Sequence, residues 1–302
     1  KQTIAEAEVE KEKLNVDMYA LNDRVNDLYF GILLLDEQIK QNTLLQDELE
    51  RNYRQITAYV ENGIANQADL DAVKVEQLNT KQKRIDLVSS RAAYLKMLSL
   101  LVGEALSPET VLEKPVPQST VSAVSEIRRP ELALFDAQGA GLQVQEKALN
   151  VRHLPQFGLF VQGAYGNPGL DMLKNEFSPY YIAGVRLSWN FGSLYTLKND
   201  RRVIEKKRQQ LDNNRDIFLF NTRLEMTQQD QAIHSLEKQM RDDDEIIRLR
   251  TNIRKAAEAK VANGTLTVTE MLRELTNESL ARQSKAMHEI QRLMGIYQLK
   301  YT

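Results

Sequence analysis

The sequence predicts a mainly α-helical protein: two matching pairs of long antiparallel coiled-coil helices, with one β-hairpin between the pairs. Three observations predict it. First, Asn62-Gly63 followed by Asp69-Leu70 returns 201 positions later as Asn263-Gly264 followed by Glu270-Met271. The same ungapped shift superimposes Ile32 on Ile233, Leu35 on Leu236, Ile39 on Met240 and Ala92 on Leu293. Self-similarity at a fixed offset is the signature of a duplicated architecture. Second, Leu14, Met18, Leu21, Val25, Leu28, Ile32, Leu35 and Ile39 step by fours and threes, the spacing of a coiled-coil seam. Third, an aromatic and β-branched passage with period two lies between the copies.

Composition fits long helices with few breaks. Of 302 residues, 27% are charged and only 13 are Gly and 7 Pro. The net charge is −2 and the isoelectric point near 6.1, so no overall basic field is present to hold nucleic acid. With no Cys, disulfides and thiolate metal sites are excluded, which is consistent with an oxidising envelope compartment. No apolar run approaches the roughly 20 residues of a membrane-spanning helix, and no signal peptide is visible at the start. Residues 1–13 already read as the middle of a helix.

The first helix is expected over about residues 5–61. Its frame resumes at Leu49, Tyr53, Ile56 and Val60 after polar Asn42 and Gln46, which are read as register-setting positions in the seam. At ~1.5 Å per residue such a helix is about 85 Å long. Gly63 supplies the left-handed residue that ends it, and Asn66 with Asp69 supplies a cap and first-turn acid for the next. The second helix is expected over 67–102, with Leu70, Val73, Leu78, Ile85, Val88, Ala92, Leu95 and Val102 as its stripe and Gly103 as its stop. Residues 104–129, with Pro108, Pro115 and Pro117, read as an irregular connector with room for a short helix or strand.

Pro130 suits the first turn of a third helix, to about Val151, whose Ala133, Ala137, Gly139, Ala140 and Gly141 permit close packing. Two strands follow, Phe157 to Tyr165 and Pro179 to Phe191. In the second, Tyr181, Ala183, Val185, Leu187 and Trp189 alternate with Tyr180, Ile182, Gly184, Arg186, Ser188 and Asn190. The apolar set faces either lipid or a packed helix, and Arg186, Ser188 and Asn190 face water. Aromatic Tyr180, Tyr181, Trp189 and Phe191 stand near the strand ends, where interfacial girdles belong. A second long helix is expected over 198–262, carrying Val203, Leu211, Ile217, Leu224, Ile233, Leu236, Met240, Ile247 and Leu249. Asn263-Gly264 turns it, and a last helix over 268–301 uses Met271, Leu272, Leu275, Leu280, Met287, Ile290, Leu293 and Ile296.

The order helix, NG turn, helix, HLPQFGLF strand, WNFGS strand, helix, NG turn, helix resembles the TolC family of outer-membrane efflux channels. The most specific points are His153-Leu154-Pro155 before the first strand, Val185 to Phe191 leading through Gly192 into a long helix, and the two turns each followed by an acid. The resemblance spans about Val9 to Tyr301. It implies a TolC-like α-barrel protomer with one hairpin of a membrane β-barrel. In its terms, 1–103 is the first periplasmic tunnel repeat, 104–129 an equatorial connector and 130–154 the helix leading to the barrel. Residues 155–193 are the barrel strands and 194–302 the second tunnel repeat. A family protomer supplies two β-hairpins and this sequence one, so the chain is expected to be truncated at its start. Three copies would give six strands, against about eight in the smallest bacterial barrels, and this polypeptide by itself is not expected to form an open channel.

The resemblance further implies a homotrimer when full length, a periplasmic adaptor and through it an inner-membrane pump as partners, outer-membrane lipid around the strands, and no cofactor. Asp69 and Glu270 match the acids after each turn, and a trimer would make each a ring at a pore gate. Arg273 stands where some relatives have another acid. Read without the family, Asp69 and Glu270 are first-turn acids favoured by the helix dipole. By resemblance, Asn62, Gly63, Ile64 and Ala65, with Asn263, Gly264, Thr265 and Leu266, are adaptor-docking turns; alone, they are helix-ending turns.

Chemistry finds no foothold in the sequence. His153, His234 and His288 join no metal or catalytic motif, and the phosphate-loop and nucleophile-elbow patterns are absent. His234 and His288 read as helix-surface residues. The run Asp242-Asp243-Asp244-Glu245 points in different directions around a helix and reads as a solvated face. Two function classes follow: a passive export duct of a tripartite efflux or type I secretion system, and a coiled-coil scaffold without a pore.

Overall fold

The computed structural model describes residues 2–116, 127–152, 154–167, 173, 175–189 and 191–301. His153, Asn190 and connector residues 117–126, Pro117 included, lie outside the described residues. In chain order the elements are α1 (Gln2–Glu61), α2 (Gln67–Val102), α3 (Pro130–Arg152), β1 (Gln156–Gly166), β2 (Ser178–Ser188), α4 (Gly192–Ala262) and α5 (Val268–Tyr301). The expected mainly helical class with one antiparallel hairpin is what is found. Helix α4 starts six residues earlier than the pattern indicates: no proline or glycine lies between Ser193 and Lys198, and the helix runs back to Gly192, the first glycine met. The described part of the connector, 104–116, holds neither helix nor strand.

By packing, the chain divides into two compact units: Lys1–Val16 with Pro130–Phe218, and Asp17–Arg129 with Leu219–Thr302. The second unit carries the apolar core. One cluster joins Leu49 and Ile56 of α1, Val73 of α2, Ala257 and Val261 of α4, and Val268, Met271, Leu272 and Leu275 of α5. A second joins Leu28 and Ile32 to Leu95 and Leu98, with connector residues Leu106 and Leu112 laid against it. The connector is strapped down by polar contacts as well. Arg91 pairs with Asp36 and donates to the carbonyls of Pro108 and Thr110, Tyr29 donates to the Glu113 carbonyl, and Lys114 pairs with Glu37 at 2.9 Å.

Several expected core positions are exposed. In α1, Leu14 and Met18 lie open, as do Leu78, Ile85, Val88 and Val102 of α2, Val203, Ile217, Leu224 and Leu249 of α4, and Leu280 of α5. In α2 the buried line runs instead through Val73, Thr80, Leu87, Leu95 and Leu98. The helix has two apolar faces, and periodicity alone cannot say which one a single chain covers. Among the superimposed pairs, Ile32 and Ile233 are both buried, while Ala92 is exposed and Leu293 half-buried. Asn42 is buried and its Nδ2 donates to the Thr80 carbonyl at 3.1 Å, a contact between α1 and α2 that fits one register.

In the first unit α3 buries no residue fully. It runs beside α4 through a ladder at seven-residue spacing along α4: Arg201 to Asn150, Arg208 to Glu146 and Arg215 to Asp136, at 2.7, 2.7 and 3.1 Å. Phe135 and Phe218 close its end with ring centroids 5.9 Å apart. Of the small residues, Gly139 faces Leu211, where a Cβ would lie 3.7 Å from Cδ2, and Gly141 lines an open cavity of about 380 Å³. Exposed ion pairs contribute little, so stability resides in the clusters of the second unit. Ile56→Ala is expected to lower the unfolding free energy of the isolated chain by about 2 to 5 kcal/mol, and Val88→Ala, at an exposed site, by less than about 0.5 kcal/mol; urea unfolding followed by circular dichroism measures both.

Candidate functional site

The two helix turns repeat one backbone arrangement. Gly63 and Gly264 take φ of 72° and 67°, the left-handed conformation that favours glycine. Around each, the same two backbone bonds form: Gly63 to Val60 with Ile64 to Tyr59, and Gly264 to Val261 with Thr265 to Lys260. These are the two bonds of a Schellman motif. Asn62 and Asn263 each donate Nδ2 to the carbonyl four residues back, at 2.7 and 2.9 Å. The sequence offset of 201 therefore recurs bond by bond.

The following helices start alike. The Asn66 side chain accepts from the Asp69 N–H at 3.0 Å, and the Asp69 carboxylate accepts from the Asn66 N–H at 3.1 Å. Thr267 Oγ1 accepts from the Glu270 N–H at 3.2 Å and donates to Glu270 Oε2 at 2.8 Å, and the Thr267 N–H also reaches Oε2. Both acids are thus held in reciprocal capping boxes. The hydroxyl and N–H of Thr267, with the nearby charge of Arg273, hold the Glu270 carboxyl below its ordinary value. Arg273 itself is exposed, 3.6 Å from Glu274. Ala65 and Leu266 pack against the apolar cluster beneath the turns, leaving Asn62, Gly63, Ile64, Asn263, Gly264 and Thr265 exposed.

Below the turns lies a polar network that sequence patterning does not single out. Glu278 is 3% exposed and accepts from Arg254 at 2.5 Å, Thr251 at 2.8 Å and Arg282 at 2.6 Å. Arg254 also pairs with Glu258 and lies 4.0 Å from Glu48 of α1. Higher up, His288 Nδ1 meets Asp243 Oδ2 at 2.9 Å, and Asp243 is 5% exposed. Two expectations are corrected here. His288 is no surface residue, and the acidic run is not wholly solvated, because one of its four carboxylates points between α4 and α5. The weak signal was positional: Glu278, Arg254 and Asp243 fall on the inner helical face among apolar neighbours. His234 is exposed, with Nδ1 3.0 Å from the Asp230 carbonyl. Among the described residues no group of three His, Asp or Glu side chains is placed to hold a metal ion.

The hairpin separates its residues by face. In the pairing Phe157 with Leu187, Leu159 with Val185, Val161 with Ala183, Gly163 with Tyr181 and Tyr165 with Pro179, every member is apolar, aromatic, Gly or Pro. The other face pairs Gln156 with Ser188, Gly158 with Arg186, Phe160 with Gly184, Gln162 with Ile182 and Ala164 with Tyr180. Phe157, Leu159, Val161, Tyr165, Tyr181, Val185 and Leu187 are all exposed, at 59 to 86%. The proposed aromatic set divides: Tyr181 is on the apolar face and Tyr180 on the other. Trp189 and Phe191 meet at 4.3 Å at the helix end, and Tyr165 stacks on Phe177 at 5.7 Å at the turn end. Sequence reading missed that second pair. No described helix is long and apolar enough to cross a membrane.

Comparison of the whole architecture with solved structures is decisive for the fold. The outer-membrane protein VceC of Vibrio cholerae superimposes with a TM-score of 0.80 at 11% identity, over 99% of this chain and 74% of its own. The Campylobacter jejuni CmeC outer-membrane channel gives 0.79 at 11%, over 99% and 66%, and the outer-membrane channel OprN 0.78 at 12%, over 99% and 69%. The chain has the TolC-family channel fold. The superpositions cover nearly all of α1 to α5, both turns and the hairpin included, while the chain spans about two thirds to three quarters of those channels' length. No family model and no curated protein matches the sequence.

The buried carboxylate of this TolC-type fold sets an acid limit. Burial by itself raises the Glu278 carboxyl, but hydrogen bonds from Arg282, Thr251 and Arg254 outweigh it and hold the group below its ordinary value of 4.5. A depressed carboxyl contributes stability that is present above the unfolded value and lost as pH falls through the folded one. Glu278→Gln is therefore expected to cost on the order of 3 kcal/mol at pH 7, and the difference from wild type is expected to shrink below about pH 4.5 in urea titrations run across pH.

Proposed function

We propose that this chain belongs to the outer-membrane component of a tripartite efflux or type I secretion system, which in full length is a passive trimeric duct for export across periplasm and outer membrane. The observation that carries the proposal is the uncovered apolar face of the hairpin. Seven large apolar or aromatic side chains stand open on one side of two 11-residue strands, a length suited to crossing an outer membrane at a tilt. A two-stranded sheet with such a face is not stable in water by itself, and lipid covers it at no cost in buried polar groups. The opposite face, carrying Gln156, Gln162, Arg186 and Ser188, then meets water in the bore.

Exposed seams on the helices support association with further copies. Val75, Leu78, Ile85 and Val88 line one side of α2, and Ile246, Leu249 and Ile253 one side of α4, each at coiled-coil spacing. Closure of a barrel requires strands from other copies, since the hairpin leaves two open edges. The exposed turn residues Asn62, Gly63, Ile64, Asn263, Gly264 and Thr265 form a twofold-repeated docking surface for a periplasmic adaptor, through which an inner-membrane pump supplies the energy. Asp69 and Glu270 are the gate acids of this reading, with Arg273 beside the second.

The full gene product is expected to be trimeric in detergent and to conduct ions in a planar bilayer. A product that stays in solution without detergent and gives no conductance contradicts the proposal and favours a scaffold. The double variant Asp69→Ala with Glu270→Ala is expected to raise conductance by loosening the tip; unchanged conductance would leave both acids as helix caps only.

A further inference from the structure

The two strands contain a single charged residue, Arg186, and it sits on the face opposite the apolar one. Its surroundings are built rather than open. Phe160 and Gly184 are direct cross-strand partners, and the Phe160 ring lies over the glycine: a Cβ at position 184 would stand 2.9 Å from both Cε1 and Cζ of the ring. With a Cβ at 184 the ring would have to shift, so the ring occupies its present place because this position is glycine. The ring in turn lies beneath the guanidinium, with Arg186 Cζ 5.4 Å from its centroid. A cation over an aromatic face is attracted by the ring quadrupole. Phe160 is half-buried by these contacts while Arg186 stays exposed, so the stack fixes the side chain without neutralising it. No carboxylate occurs in either strand to pair with it.

We infer that Arg186, held in place by Phe160 over the gap at Gly184, is an anion-attracting contact on the water-facing side of the barrel wall. The inference rests on the reading above that the opposite face meets lipid. Arg186 lies two residues from the end of β2, next to the start of α4, and pairs with the third residue of β1. It therefore stands at the helix end of the hairpin, where cargo passes from the helical part into the barrel. Repeated by symmetry, it forms a ring of guanidinium groups, and rings of Arg or Lys favour anions. Guanidinium also offers a planar fork of donors that suits carboxylate and phosphate. The substrate class so favoured is a solute with an exposed carboxylate or phosphate group.

Residues 1–302 contain no Cys, and any Cys elsewhere in the full gene product is replaced by Ser for the test. In the full gene product reconstituted in lipid, the variant Ser188→Cys places a thiol on the same face two residues from Arg186. Its rates of modification by an anionic and a cationic water-soluble thiosulfonate are measured with and without Arg186→Gln. The anionic-to-cationic rate ratio is expected to fall about fivefold at low salt when the charge is removed, and by a smaller factor with Phe160→Leu, which keeps the charge but releases it from the stack. A ratio that does not move with Arg186→Gln overturns the inference. Val185→Cys, on the apolar face, separates this from failure of the underlying reading: it is expected to resist both reagents in lipid and react after unfolding. Ready reaction in lipid would overturn the lipid-facing assignment itself.

Discussion

The structure depends above all on the apolar cluster beneath the two turns. Leu49, Ile56 and Val73 come from the first helical pair and Ala257, Val261, Val268, Met271, Leu272 and Leu275 from the second. Each pair alone would expose its half of this surface, and the burial removes it from water, at roughly 1.5 to 3 kcal/mol for each large side chain fully buried. Because both halves end in the same Schellman turn and restart with the same capping box, the duplicated chemistry is presented side by side rather than as two unrelated loops. The Glu278 and Arg254 network sits on the flank of this cluster. A buried charge left unpaired is strongly unfavourable, so its three donors fix the relative placement of α4 and α5 and, through Glu48, bring α1 close.

A second constraint follows from what one chain leaves uncovered. The hairpin face and the outer seams of α2 and α4 are too apolar and too regular to be incidental surface, and they differ in kind. The hairpin face has period two over five rungs, matching a slab of lipid. The helical seams have coiled-coil spacing, matching other helices. Under the proposed function, lipid covers the first kind of surface and further copies cover the second. The other side of the hairpin is mixed, with Gln156, Gln162, Ser188 and a single charge, Arg186, braced by the Phe160 ring.

Much of the fold is legible in the sequence because the signals are local. Asn-Gly with Asn66 and Asp69, or with Glu270, specifies where one helix stops and the next begins, and α1 and α4 stop and α2 and α5 start where those residues indicate. The hairpin faces follow from alternation, and the register found pairs the two apolar sets. What was not legible is which of two apolar faces a lone helix buries. Leu78, Ile85 and Val88 satisfy a seam as well as Val73, Leu87 and Leu95 do, and the choice belongs to the partner, not to the stripe. The buried Asp243 with His288, and Glu278 with its arginines, escaped notice for the opposite reason: charged residues at helical spacing look solvated until a neighbouring helix covers them. Of the proposed gate and docking residues, the sequence located the turns but not that Ala65 and Leu266 are packed inward.

The claim at the centre of this account is that the two helical pairs form one packed body through the cluster beneath the turns. Native-state hydrogen exchange of the Val73→Ala variant tests it most directly, because a cavity in α2 must be felt wherever the packing is shared. The account predicts faster exchange both in 49–60 of α1 and across in 268–275 of α5. Acceleration confined to the first pair, with α5 exchanging as in the wild type, would contradict it.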